Sequence, residues 1–336
     1  MNPQDYLKDK IEKAADYTLT SDEKSQAEKG IEEFIFKKLA SKKFRKFAMD
    51  EDCKKRTTKA IAARVQKKEP ITVVYPQGGY KLWRFPTSPT VDWAEFFNVG
   101  YVLNYLAPIA AAYKSGVKIT YYMHTLLMEI HDNLTQEEIK AYVDSFEQLL
   151  NEFRKFLPEN VTIEILRDAD IYTRDEYFTA LEKEKEIVEQ LSHTWPPAQK
   201  DALSKTARLN IKWAGASDWT KLSEKEQEEK IQLSSLYEMA APRLERVFKK
   251  IKAADNILLF TKGSKDFIGI GSTKASIAKY WVGFGVLEKR KDSYLPIILT
   301  PSQYEKAMKQ DYQKVAIDLL AQPNFSQIFI FPTPLI

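Results

Sequence analysis

The chain has 336 residues, enough for one large domain or two smaller ones around a sizeable core. Hydrophobic residues at 44% and charged residues at 29% fit a globular protein and exclude a disordered or fibrous one. A formal net charge of +4 does not by itself call for nucleic acid, and a single cysteine excludes an internal disulfide and any multi-cysteine metal site.

The opening "MNPQDYLKDKIEKAADY" lacks the apolar core of a signal peptide, and no run approaches the ~18 apolar residues of a membrane span. A cytoplasmic protein is expected. Residues 1 to about 68 read as a basic helical segment. Ser21 offers an N-cap, and Ile31, Phe34, Ile35 and Leu39 form a helical stripe. Between Lys37 and Lys68 stand 13 Lys or Arg against three acids, Asp50, Glu51 and Asp52. Such a run reads either as a polyanion-binding face or as a solvated helical face, and Phe34, Phe36, Phe44 and Phe47 suit base stacking or a core. Cys53 sits in "DEDCKKRTTK", where the cations would lower its pKa, though the thiol reads as a bystander.

The first α/β part of the core is expected over residues 69–169. "PITVVYP" (70–76) is a β-branched run bounded by prolines, a buried strand. "TVDWAEFFNVGYVLNYLAPIAAAYKSG" is a buried helix that Thr90 or Asp92 would start and Gly116 would end, with Pro108 kinking or dividing it. "VKITYYM" (117–123) is a second strand, residues 135–157 a well-patterned helix, and "VTIEIL" (161–166) a third strand. Strands alternating with helices at these lengths predict a Rossmann-like, doubly wound, mainly parallel sheet. Residues 170–254 read as a helical insertion or lid, interrupted at Pro196 and Pro197. Residues 255–336 are strand-rich and complete the core, with a hairpin around "KRKD" and a helix opening at Thr300-Pro301.

Ligands on doubly wound sheets bind outside the carboxyl ends of the strands. The stretch "YPQGGYKLWRFPTSPTVDWAEFF" (75–97) leaves the first strand there and is too long and too costly in side chains for a plain connector. Gln77, Gly78 and Gly79 can present backbone N–H groups, while Lys81 and Arg84 add a point charge and a fork for a phosphate or carboxylate. Tyr80 and Trp83 would wall the pocket. Asp92 and Glu95 stand three apart at the following helix start, so they share a face. They read either as an acid–base pair or as a helix cap and a solvated acid. His124 ends the second strand and is a further proton carrier, or a structural histidine. In "GIGSTKASIAKYW", Ser272, Thr273 and Lys274 offer hydroxyls and a cation beside glycines. That segment falls short of a dinucleotide fingerprint, because Lys274 stands where the third glycine belongs. No metal site can be assembled from the three histidines, and the sequence identifies no cofactor.

The middle of the chain resembles the isonitrile synthase family, the pyoverdine and dityrosine biosynthesis group. The resemblance rests on "ITVVYPQGGYK", on Asp92 with Glu95, on "YKSGVKITYY" (113–122) and on the helix "TQEEIKAYVDSFEQLL", and covers about residues 70–157. It implies an α/β, Rossmann-like core and the condensation of an amino acid's amine with the keto group of ribulose 5-phosphate. Lys81 would then be the basic residue of the loop, and Asp92 and Glu95 the acidic positions at the helix start. The chain departs from the family after the second strand, where an Asp-Gly pair gives way to "YMHTLL" with His124.

The expected function is therefore that of a cytoplasmic biosynthetic enzyme acting on a small anionic or phosphorylated substrate, with an amino acid as partner. A nucleotide-sugar or S-adenosylmethionine-dependent transferase is the alternative on a similar fold. A nucleic-acid-binding protein using residues 37–68 ranks last, and no membrane partner is expected.

Overall fold

A computed structural model describes residues 1–45, 48–77, 85–212, 217–244, 255–260, 264–271, 283–332 and 334–335. Helices α1 (Pro3–Glu12), α2 (Ser21–Lys29), α3 (Ile31–Leu39) and α4 (Glu51–Lys67) precede the first strand, as expected. Thr20, not Ser21, caps α2: its hydroxyl and the Glu23 carboxylate form a reciprocal capping box. Phe34, Ile35 and Leu39 are buried on one stripe of α3.

Every residue from Ile71 to Tyr75 is buried, the signature of a strand covered on both faces. This strand, β1 (Ile71–Gln77), pairs in parallel with β2 (Val117–Met123) from Ile71 opposite Val117 to Gln77 opposite Met123. Next comes β3 (Val161–Arg167), parallel to β2. On the other side β1 pairs with β4 (Ile257–Phe260), and β4 with β5 (Ile268–Gly269), again in parallel. The order β3-β2-β1-β4-β5 with all strands parallel is that of a doubly wound α/β sheet.

Period-two alternation assigns the two faces. Val73, Tyr75, Ile119, Tyr121 and Ile163 pack in one core with α4, with α5 (Trp93–Ala112) and with α7 (Gln136–Arg154). Val74, Tyr122 and Leu258 pack on the opposite face with α6 (Thr125–His131), α8 (Arg174–Ser192) and α11 (Glu224–Ala240). The helices expected between residues 170 and 254, which include α9 (Pro197–Asn210) and α10 (Ser217–Lys221), thus supply the second helical layer through α8 and α11.

A four-stranded sheet ordered β7-β6-β9-β8 follows. Its hairpin of β6 (Phe284–Lys289) and β7 (Tyr294–Leu299) turns through Arg290, as the "KRKD" stretch led one to expect. After α12 (Pro301–Ala307), β8 (Gln313–Ala316) runs antiparallel to β9 (Gln327–Phe331), which lies parallel to β6. Gly285 of β6 lies against the first turn of α5: a Cβ there would stand 2.3 Å from Ala94 N and Trp93 C.

Three further details differ from the sequence reading. Pro108 lies inside α5, which continues unbroken to Ala112. Gly116 does not end that helix, whose cap is Tyr113; it turns the chain into β2 at φ +69°, where a Cβ would lie 1.8 Å from Asn160 O. Cys53 is fully buried beside Thr57, and burial raises its thiol pKa against the pull of Arg56, so the nearby cations do not activate it. Among the described residues no helix is long and apolar enough to cross a membrane.

Candidate functional site

The strand order reverses at β1, because the chain builds β2 and β3 on one side and β4 and β5 on the other. The crevice of such a sheet opens between the carboxyl ends of the two strands that flank the reversal, here Gln77 of β1 and Phe260 of β4. Residues 78–84 follow the first of these in the chain. Gly78, Gly79, Lys81, Trp83 and Arg84 lie outside the described residues, as do Ser272, Thr273 and Lys274. Gln77, Asp92, Glu95 and His124 are described.

Asp92 and Glu95 are both buried, at 1% and 0% exposure, so neither is a solvated acid. They form a capping box at the start of α5, in which Asp92 N donates to Glu95 Oε2 at 2.9 Å. Asp92 also joins distant segments. Its Oδ1 accepts from Ala94 N at 2.7 Å and from Gly285 N at 3.3 Å, and its Oδ2 from the Thr87 hydroxyl at 2.8 Å. Glu95 has a different second partner: the Tyr142 hydroxyl of α7 donates to its Oε1 at 3.1 Å. Gln77 Nε2 in turn donates to that hydroxyl at 2.7 Å. Gln77, Tyr142 and Glu95 are all fully buried, and burial first, then the Glu95 charge, pushes the Tyr142 pKa well above the ordinary phenol value. Among the described residues the Gln77 Oε1 atom, buried at the end of β1, has no hydrogen-bond partner.

His124 stands next to Gln77, its backbone N–H directed at the Gln77 carbonyl at 3.4 Å. It is the N-cap of α6, with its ring edge-on to Tyr122 at 4.7 Å between centroids. Its surface is partly open, yet protein atoms surround the ring, and this burial, with the charge of His131, lowers its pKa to about 4. His124 is therefore a neutral imidazole at neutral pH. Asp168, just past β3, fixes the turn that carries it. It accepts from the Thr125 hydroxyl at 2.6 Å and from Leu126 N at 3.0 Å, satisfying the exposed donors at the start of α6.

At the other end of α6, His131 Nδ1 meets Asp132 Oδ1 at 2.5 Å, and its Nε2 lies 3.8 Å from Glu238 Oε2 on α11. Burial opposes a charge there, but the two carboxylates outweigh it and raise the His131 pKa to about 10.

Tyr142 and Asp168 were not singled out from the sequence. Tyr142 occupies an ordinary core position in a patterned helix, and Asp168 follows a strand as many turn acids do. Only their tertiary partners mark them. In the basic N-terminal segment, Lys37, Lys38, Lys54, Lys55, Arg56, Arg64 and Lys67 each lie within ion-pair distance of a carboxylate. Among the described residues no group of three or more His, Cys, Asp or Glu is arranged to hold a metal ion.

No protein-family model and no curated protein matches the chain. Its fold, however, is similar to the crystal structure of the PvcA protein from Pseudomonas aeruginosa, with a TM-score of 0.66 at 15% sequence identity. The match covers 90% of this chain and 100% of that one. It reaches well beyond residues 70–157, where the sequence resemblance lies. The chain shares its α/β architecture with PvcA, and the distant resemblance seen in the sequence holds at the level of the fold.

Proposed function

We propose that the chain is a biosynthetic enzyme of the isonitrile synthase type, acting at the carboxyl edge of the parallel sheet. The observation that carries this reading is the buried chain Gln77–Tyr142–Glu95 beside the neutral His124, on a fold shared with PvcA and in a chain whose residues 70–157 resemble the isonitrile synthase family. In this reading an amino acid's amine condenses with the keto group of a phosphosugar. Lys81 and Arg84 hold the phosphate, Gly78 and Gly79 let it approach the backbone, and Trp83 walls the pocket. Ser272, Thr273 and Lys274, from the segment after β5, complete the polar lining.

The amine nitrogen attacks the keto carbon and the carbonyl electron pair moves to oxygen. The nitrogen's proton passes to the Tyr142 hydroxyl as that hydroxyl gives its own proton to Glu95. Neutral His124 donates a hydrogen bond to the developing oxyanion, because an uncharged imidazole is the form its surroundings favour. Glu95 then returns the proton to that oxygen, and the hydroxyl leaves with the nitrogen's second proton as water when the C=N bond forms. Asp92 holds the start of α5 in place and so positions Glu95. The enzyme works in the cytoplasm, where phosphosugars and amino acids are at hand.

Thermal-shift scanning against ribulose 5-phosphate, other phosphosugars, nucleotides and S-adenosylmethionine tests the reading, with Lys81→Ala scanned in parallel. A ligand at ~100 times its dissociation constant stabilises the fold by about 2.7 kcal/mol. A phosphosugar shift that vanishes in Lys81→Ala is the expected result. A shift with a nucleotide or S-adenosylmethionine, and none with phosphosugars, would replace this reading with a transferase.

A further inference from the structure

On the outer side of α5 lies a cavity of about 230 Å³ whose walls come from four separate parts of the chain. Lys10 of α1 and Lys43, which follows α3, stand at its rim; Phe44, Phe97 and Tyr101 line it; Pro296 of β7 closes one side. Its volume is below the ~300–1,000 Å³ usual for drug-sized ligands, which limits an occupant to one small ring system.

The walls are held before any ligand arrives. The Phe44 and Tyr101 rings meet edge-on at 5.3 Å. The Phe44 carbonyl accepts from the Tyr101 hydroxyl at 3.0 Å and from Gly271 N at 2.9 Å. Phe97 stacks on Trp93 at 6.4 Å. A preformed aromatic wall favours a flat apolar body, which gains offset or edge-on ring contacts.

The charge is as informative as the shape. On α1, Lys8 and Lys13 each face an acid one turn away, Glu12 at 3.8 Å and Asp9 at 2.5 Å. Lys10 has Tyr6 in that position instead, with its ammonium 5.1 Å from the ring centroid. Lys43 likewise lies over the Phe44 ring at 5.2 Å. Among the described residues neither lysine meets a carboxylate, so two uncompensated cations border one aromatic pocket.

We propose that this cavity is a second binding site, separate from the carboxyl edge of the sheet, for a small aromatic carboxylate. The ring inserts among Phe44, Phe97 and Tyr101 while the carboxylate meets Lys10 and Lys43. A free amino acid is a poor fit, because its ammonium would face two like charges.

Isothermal titration of the full chain with three probes of one shape and different charge tests this: indole-3-acetate, indole-3-acetamide and tryptamine. Indole-3-acetate is expected to bind one site and to weaken at least tenfold in the double variant Lys10→Gln/Lys43→Gln, with the amide at least tenfold weaker and tryptamine weaker still. His124→Ala should leave the affinity unchanged. Equal binding of the acid and the amide, retention in the double variant, or no heat with indole-3-acetate would each overturn the proposal. Loss in His124→Ala alone would assign the binding to the sheet edge and overturn it too. Both lysines are exposed and, among the described residues, meet no carboxylate, so the double variant keeps the fold and a loss of binding reports on the pocket.

Discussion

Tyr142 of α7 donates a hydrogen bond to Glu95 of α5 in a fully buried setting, 47 residues away in the chain. Two helices on one face of the sheet are thereby tied directly behind the last residue of β1. The bond is polar where an apolar pair would pack as well, and an unmet buried group is costly. Tyr142→Phe removes the hydroxyl to which Gln77 Nε2 donates and which donates to Glu95 Oε1. Urea denaturation should show a loss of about 1–3 kcal/mol. If Tyr142 relays a proton, turnover should fall by a further ~100-fold under conditions where the variant is fully folded. Unchanged turnover would leave Tyr142 a structural residue only.

Asp92 and Glu95 share a capping box but not a role, and their substitutions should separate. In Glu95→Gln the amide oxygen can still accept from Asp92 N, so the fold should persist while turnover drops ~100-fold or more. Asp92→Ala removes the cap of α5 together with the acceptor for Gly285 N and the Thr87 hydroxyl, and should cost about 1–3 kcal/mol. Denaturation and steady-state kinetics on both proteins decide the matter. A stable but inactive Asp92→Ala would move the proton chemistry to Asp92.

Two histidines, His124 and His131, set opposite slopes of stability against pH. His124, lowered to about 4, resists the proton that the unfolded chain takes up near 6.5, so stability falls as pH drops from about 6.5 to 4. His131, raised to about 10, keeps its proton in the folded state. Its contribution is full below about 6.5 and is lost as pH rises towards 10. Burial also pushes the Asp132 carboxyl up. The His131 direction governs, because Asp132 and Glu238 both face the one imidazole. Each limb has a slope of at most about 1.4 kcal/mol per pH unit from its histidine. Denaturation at a series of pH values should peak near 6.5. His131→Asn should flatten the alkaline limb and leave the acid one, and an unaltered alkaline limb would show that His131 is neutral in the fold.

What the sequence revealed and what it hid divide by the range of the interactions. The proline-bounded "ITVVY", the apolar run "VKITYYM" and the stripe of the 135–157 helix are local patterns, and each became the expected element within a few residues. Asp92 was legible as a cap for the same reason. The helix α6 escaped notice because it has only seven residues and its cap, His124, makes no side-chain capping bond; the capping is done from Asp168, more than 40 residues later. The strand β8 is an exposed polar edge, "QKVA", with no buried face to betray it. Pro108 shows the converse: its local preference against a helix interior is overridden by the burial of the apolar residues around it. Tyr142 and Gln77 acquire meaning only through each other, across 65 residues.

Gly285 is one of the places where the second sheet meets the first core, beside the Trp93 Nε1 bond to the Gln327 carbonyl at 2.8 Å. Its missing side chain lets β6 lie against the backbone of Trp93 and Ala94, and its N–H reaches Asp92 Oδ1 in the same step. A methyl group there would sit 2.3 Å from backbone atoms that are part of a helix start and cannot turn aside as a side chain would. Gly285→Ala must therefore push β6 away from α5, lengthening the bond to Asp92 and opening the contact beside Glu95. Overpacking of this kind costs about 1–3 kcal/mol, and the weakened hydrogen bond adds to it. Chemical denaturation should show the loss. Thermal-shift titration with the best phosphosugar should show weaker binding, because the start of α5 also carries Glu95. If Gly285→Ala were as stable as the parent, the close approach of β6 to α5 would contribute nothing to the union of the sheets.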